Sequence, residues 1–419
     1  MNTAIIGGGA SGMIAAIVSA QNNDEVTIFE HMPRMGKKLL LTGSGKCNIS
    51  NTDMDISHFH GSDEALIASV LEKCPPQITQ AFFERLGLMF KERKGGLYPY
   101  CEQSSAVLDV LRFAIRDMGI DVLVDTDVRA VSEVVMESGS GRFAVVTDQG
   151  RYTFDKVIIC AGSAACRNTG SDGSGYELAK SFGHTIVKPL PALTHLDCEE
   201  GFFPSIAGIR TRAKISVYSR TPGKSERELL GSETGELQLT KSGISGIPVF
   251  DLSYLAVRSL FEGKSVKATI DLLPEISEDD ISGFIADRAA RNPDRLADEL
   301  LIGVLAKPLG ICICRRCQIG SKTLCMELNE MHRDELGKMI KKFEVTVTGS
   351  GGFDVSQVLQ GGVSLSEVSP NLESRLVPGV FFAGEILDVN GDCGGYNLQW
   401  AASSAMVAAG FRNKHGDNG

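Results

Sequence analysis

No stretch of this chain stays apolar for the roughly 18 residues that a membrane-spanning helix needs. Basic residues are the minority, 42 against 52 acidic, and the formal net charge is -10. A chain of that sign repels phosphate backbones, so nucleic acid is not an expected partner and neither is a membrane. A disulfide framework is also missing from the pattern. The 11 cysteines are odd in number and scattered over 419 residues, which fits reduced thiols in a cytoplasmic protein. A secretion signal would need a basic start. The apolar stretch Met13 to Ala20 instead continues a glycine motif into a helix. There is no internal repeat, no low-complexity segment and no signal for oligomeric state.

What is present begins at residue 2. Asn2 to Ile6 reads as a buried strand running into Gly7-Gly8-Gly9-Ala10-Ser11-Gly12. Gly7, Gly9 and Gly12 have the G-x-G-x-x-G spacing: a tight turn, a close backbone approach to a pyrophosphate, and close packing of helix on strand. The helix amides that follow face the phosphates. Val26 to Phe29 reads as the next strand, ending in Glu30. An acid about 20 residues past the glycines accepts from a ribose diol and repels a 2′-phosphate, so FAD or NAD is favoured over NADP.

Two further segments favour FAD. Asp155 to Gly162 reads as a buried strand ending in Ala161 and Gly162, after a β-meander drawn over Asp121 to Val131, Arg142 to Thr147 and Arg151 to Phe154. Near the C-terminus, a strand Gly379 to Ala383 ends at Gly384-Glu385. Beyond it, Asp392-Cys393-Gly394-Gly395-Tyr396-Asn397-Leu398 leads into a small-residue helix, Ala401 to Ala409. Glycines ahead of a helix leave amides to face the flavin N1–C2=O edge, where negative charge builds on reduction. No second G-x-G-x-x-G follows a strand, so a dedicated nicotinamide domain is not expected. NAD(P)H would visit only transiently.

With these residues in view, the chain resembles the HI0933-like flavoproteins, also called aminoacetone-oxidase-like or BaiN-like NAD(P)/FAD-dependent oxidoreductases. The resemblance rests on the N-terminal glycines, on Lys38 to Asn48, on Thr169 to Tyr176, on Gly243 to Pro248, on Gly361 to Leu365, on Glu373 to Gly379 and on the long block Phe382 to Trp400. It implies an α/β, two-dinucleotide-binding-domain flavoprotein Rossmann fold with an inserted β-rich subdomain and a small helical subdomain. The expected boundaries are 1–191 and 345–419 for the FAD domain, 192–273 and 320–344 for the β-rich part, and 274–319 for the helical part. Helices are expected over Asp280 to Asp298 and Met331 to Phe343, and β-runs over Ala213 to Tyr218, Glu236 to Thr240 and Val266 to Ile270.

The resemblance implies FAD contacts at Gly7, Gly9, Ala10, Ser11, Gly12, Glu30, Lys38, Thr42, Gly45, Lys46, Cys47, Asn48, Val128, Ala161, Gly162, Gly384, Glu385, Asp388, Gly395, Tyr396, Asn397 and Leu398. Relatives commonly carry arginine where this chain has Lys46, and a lysine cannot make the same bidentate contact. No catalytic residue is transferred.

Other residues invite chemistry. Cys47 has no partner cysteine in its loop, which argues against a dithiol relay. Cys312, Cys314, Cys317 and Cys325 could supply four thiolates, but the spacing lacks a second C-x-x-C and reads better as buried thiols than as zinc. Cys393, His184 and His195 are candidate proton carriers. Tyr98 to Tyr100 are candidates for a substrate mouth.

The expected function is hydride transfer between flavin and a small organic substrate. Two half-reactions stand open: oxidation of an amine such as aminoacetone by O2, and NAD(P)H-driven reduction of an activated C=C such as a steroid or bile-acid enone. The lack of a nicotinamide domain favours the amine. The rival classes are a non-catalytic flavin-binding protein and a flavin-dependent nucleic-acid modifier, the latter disfavoured by charge.

Overall fold

Four consecutive residues of the strand Asn2–Ile6 are buried, as a strand covered on both faces requires. It forms the middle of a five-stranded sheet in the order Val380–Phe382, Lys156–Ile159, Asn2–Ile6, Glu25–Phe29, Asp121–Leu123, with every pairing parallel. The computed structural model describes residues 1–134 and 142–412. Strand order reverses at Asn2–Ile6, because its chain successor lies on one side and the strand from residue 156 on the other. In open parallel sheets the crevice at such a reversal, beyond the carboxyl ends of the strands, is where ligands bind.

The helix Ala10–Gln21 is buried continuously from Ser11 to Ser19. It is covered by the equally buried C-terminal helix Tyr396–Ala408. The first and last helices of the chain therefore pack as neighbours. A three-stranded antiparallel sheet, Arg151–Phe154, Phe143–Thr147 and Val128–Glu133, accompanies the parallel one. The run expected as one strand from Asp121 to Val131 is thus two. Asp121–Leu123 joins the parallel sheet, and a turn with Asp125 at φ 48° separates it from Val128–Glu133.

The chain divides into two compact units, Met1–Leu190 with Phe353–Gly419, and Pro191–Gly352. The second is built on a closed six-stranded barrel in the order Leu196–Cys198, Gly243–Ser245, Glu228–Leu239, Arg210–Arg220, Ser265–Asp271, Phe343–Ser350. The ring closes where Leu196–Cys198 meets Phe343–Ser350. The second unit therefore runs past the boundary drawn at 345, since residues 345–350 belong to this barrel strand. The helix Ile247–Phe261 packs on the long hairpin strands. Helices Ile281–Arg291, Lys307–Arg316 and Glu330–Lys341 follow, so helical structure continues beyond the limit drawn at 319. The helix drawn to Asp298 ends at Arg291 because Asn292 precedes Pro293, which disfavours the α conformation. Among the described residues, no helix is long and apolar enough to cross a membrane.

Candidate functional site

The three motif glycines differ in what forces them. Gly7 has φ 102°, and a Cβ there would lie 2.6 Å from Cys160 O. At Gly12 a Cβ would fall 1.8 Å from Gly7 O. These two are required by the protein's own packing. Gly9 has no atom within 4 Å of its would-be Cβ and an ordinary extended backbone at φ -74°. Its bare face opens on free space at the start of Ala10–Gln21, where no side chain caps the helix amides. Ala10 and Ser11 form the first turn of that helix.

Glu30 directly follows the neighbouring strand Glu25–Phe29. Its Oε2 accepts from Gly8 N at 2.9 Å and its Oε1 from Met32 N at 2.8 Å. The carboxylate therefore supports the glycine turn and keeps lone pairs for further donors.

The C-terminal motif lies against the N-terminal one. A Cβ on Gly384 would be 2.5 Å from Ser11 Oγ. Gly384 N donates to Ser404 Oγ at 2.9 Å and Gly384 O accepts from Trp400 Nε1 at 3.3 Å. Next along, Glu385 Oε2 takes Lys38 Nζ at 2.7 Å. Ala161 and Gly162 follow the strand Lys156–Ile159, with Gly162 at φ 74°. Val128 begins the strand Val128–Glu133 and is half-buried.

The segment 42–51 and the turn before the last helix form the other wall. Asn51 Nδ2 donates to Gly394 O at 2.9 Å, and Ser50 Oγ bonds Gln399 Oε1 at 2.6 Å. Gly395, at φ 101°, leaves only 2.6 Å between a would-be Cβ and Ser50 O. Gly45 faces open space as Gly9 does. Thr42 Oγ1 donates to Leu39 O at 2.7 Å. Cys47 is buried, and burial pushes its thiol up to about 11 against the opposing pull of Thr42, so it packs rather than reacts. Lys46 Nζ is 3.2 Å from Glu102 Oε2, and Lys91 holds the other oxygen at 2.7 Å. Those two ammonium groups hold Glu102 down at about 2.

Other residues singled out by the sequence bond or pack within the protein. Asn397 clasps its own turn, accepting from Gly391 N at 2.8 Å and donating to Gly391 O at 2.7 Å. The Tyr396 ring is buried, stacked on His58 at 4.3 Å and edge-on to Phe59 at 5.6 Å. Asp388 is buried and Leu398 half-buried. His184 is walled in, with Glu367 at 3.1 Å and Ser374 at 2.7 Å. Burial pulls it below 6.5 despite Glu367. His195 belongs to the barrel unit, 3.7 Å from Asp197. Tyr100 is exposed beneath Lys91, one residue past the hairpin strand Gly96–Pro99. Cys312, Cys314, Cys317 and Cys325 are buried free thiols. Burial raises Cys314 to about 12 and Cys317 to about 11. Among the described residues, no group of three or more His, Cys, Asp or Glu side chains is arranged to hold a metal ion.

The residues present fit a dinucleotide. Gly9 and Gly45 leave space that no protein atom needs. Glu385 Oε1 and Asn48 Oδ1 are buried acceptors without a hydrogen-bond partner, a costly state in a finished site. Sequence reasoning missed one cluster here, Asp392 between His58 and His60. Asp392 lies 334 and 332 positions from the two histidines, so no local signal joins them.

The HI0933-like protein Rossmann domain model matches residues 1–411. The 3-dehydro-bile acid delta(4,6)-reductase of Clostridium scindens is 38% identical over 407 residues, covering 96% of this chain and 97% of its own. The ribosomal RNA dihydrouridine synthase of Haemophilus influenzae is 26% identical over 408 residues, covering 97% and 96%. Among solved structures, the 3-ketosteroid delta1-dehydrogenase of Sterolibacterium denitrificans superposes with TM-score 0.50 at 11% identity, covering 97% of this chain and 98% of that one. At that identity the likeness is one of fold.

Proposed function

We propose, on the premise that the chain belongs to the HI0933-like family and is an FAD-dependent oxidoreductase, that it reduces a carbon–carbon double bond conjugated to a carbonyl, with a steroid-type enone as substrate and NAD(P)H as the visiting donor. The observation that carries this is the 38% identity, over nearly the full length of both chains, to a protein named for reducing bile-acid double bonds. The more distant relative's name denotes kindred chemistry, since dihydrouridine is uridine saturated at a double bond conjugated to a carbonyl. This reverses the preference for amine oxidation drawn from the missing nicotinamide domain. That absence says how the donor binds, not which substrate follows it.

FAD, when bound, supplies the hydride chemistry. The chain's own groups hold and orient it. Gly9 and the uncapped amides of Ala10–Gln21 take the pyrophosphate. Glu30 takes the ribose diol. Glu385, already paired with Lys38, and Asn48 offer their unpartnered oxygens to donors of the cofactor. The amides of the Gly394–Gly395 turn meet the pyrimidine edge.

The test is anaerobic. FAD-loaded protein is reduced with NADH or NADPH and mixed with a 4-ene-3-ketosteroid. Return of the oxidised flavin band, with a product gaining two hydrogens, supports the proposal. Reduced flavin indifferent to the enone, while aminoacetone bleaches the oxidised form, overturns it in favour of an oxidase.

A further inference from the structure

Asp392 lies in the turn between the strand Val389–Gly391 and the helix Tyr396–Ala408. Each oxygen of its carboxylate takes a histidine: His58 Nδ1 at 3.0 Å from Oδ2 and His60 Nε2 at 2.7 Å from Oδ1. The backbone doubles the link, with Asp392 N donating to His58 O at 3.0 Å beside the antiparallel pairing of Phe59–Gly61 with Val389–Gly391. The His58 ring lies nearly flat on Tyr396, 17° from parallel. Its Nε2 is 3.5 Å from Asp53 Oδ2, and Asp55, on the same turn, feels its charge. His58 is thus faced by Asp392, Asp53 and Asp55, covered by Tyr396, and linked through Asp392 to His60. Burial disfavours its charged form, but the hydrogen bonds and charges of Asp392 and Asp53 outweigh that and raise it above 6.5.

Fixing the turn does not need this arrangement. The strand pairing and the Asn397 clasp already do so. What the imidazole–carboxylate pair adds is a charge that follows a proton.

We propose that His58, acting through Asp392, sets how readily the bound flavin accepts electrons. This rests on the reading that the Gly394–Gly395 turn meets the pyrimidine edge of the cofactor. With His58 protonated, its charge and that of Asp392 cancel. With His58 neutral, Asp392 leaves a negative charge on the turn. Reduction adds negative charge to that edge, so loss of the His58 proton makes reduction harder. His58 is a positioning residue: it touches Asp392 and Tyr396.

The experiment is a redox titration of FAD-loaded protein against a reference dye across pH, for the wild type, His58→Gln and Asp392→Asn. Below the titration of His58, H58Q should be harder to reduce than wild type by about threefold to tenfold in the equilibrium constant. Above it the two should coincide. D392N, which keeps one accepting oxygen and turns an amide NH2 toward the other ring, should be easier to reduce than wild type, most so at high pH. An H58Q offset equal at every pH, or no offset, overturns the proposal, because a purely structural role moves the potential without following the proton. If H58Q does not fold, the difference between wild type and D392N decides alone: a difference independent of pH overturns it. A wild type that holds no FAD overturns it at its footing, and FAD stoichiometry, measured first, tells that failure from the others.

Discussion

Lys38 Nζ lies 2.7 Å from Glu385 Oε2 although 347 residues separate the two. The pair is an ion-pair bridge between the segment after the second strand and the C-terminal motif, and the other oxygen of Glu385 is the buried one without a partner. Replacing Glu385 by Gln keeps the size and removes the charge. The expected result is weaker FAD binding by about tenfold, roughly 1.4 kcal/mol, measured by flavin fluorescence on dilution, with a melting temperature of the FAD-free protein shifted much less. Unchanged affinity would remove Glu385 from the site.

The glycines make a sharper pair. Gly12→Ala places a methyl 1.8 Å from a carbonyl oxygen and should destabilise the FAD-free protein by about 3 kcal/mol or more. Gly9→Ala meets no protein atom, so stability without FAD should change by about 0.5 kcal/mol or less while FAD affinity falls at least about tenfold. Urea unfolding and FAD titration of both variants check this. Equal losses of stability would mean that Gly9 is held by packing after all.

Thiol reactivity should follow burial. Cys101 is exposed, whereas Cys47, at about 11, and Cys160, pushed up to about 12, hold only about one part in a thousand or less as thiolate at pH 8. Brief native alkylation followed by peptide mass spectrometry should label Cys101 and spare the other two. Early labelling of Cys47 would restore it as a candidate reactive group.

His184 predicts an acid limit to stability. Its folded form resists protonation, so above 6.5, its ordinary value, its titration leaves stability unchanged. As pH falls below 6.5 the unfolded chain binds the proton first, and stability drops toward the lowered folded value. Glu367, held low by Thr185 and His184 against the opposing effect of burial, adds a loss of the same sign at lower pH. His184→Gln should be less stable at pH 8 but lose less between pH 6.5 and 5 than the wild type. Parallel melting curves across that range would show that His184 does not carry the effect.

Why some of this was legible is a matter of distance along the chain. Gly12 is forced by Gly7 O within one strand–turn–helix, and Gly7 by its own φ of 102° as well as by distant Cys160, so local spacing declares both. Glu30 directly follows the next strand and is equally local. The barrel hairpin was visible only at its end: Glu228–Leu239 is exposed or half-exposed over most of its length, and without an apolar face its first half has no alternation to read. Asp121–Leu123 is too short for a pattern to tell a parallel strand from a meander. The Asn397 amide closes its own turn, a role no motif encodes. The His58–Asp392–His60 cluster depends on two segments meeting across the fold.

The neighbouring first and last helices have a consequence for biosynthesis. Ala10–Gln21 carries no polar face to offer water while it waits. Its cover, Tyr396–Ala408, is made more than 370 residues later, and at about 5–20 residues per second that is roughly 20–80 s of translation. The strand Val380–Phe382, which borders the sheet, arrives as late. A nascent chain of this protein therefore completes the cover of its first helix, and the edge of its sheet, only as synthesis nears its end.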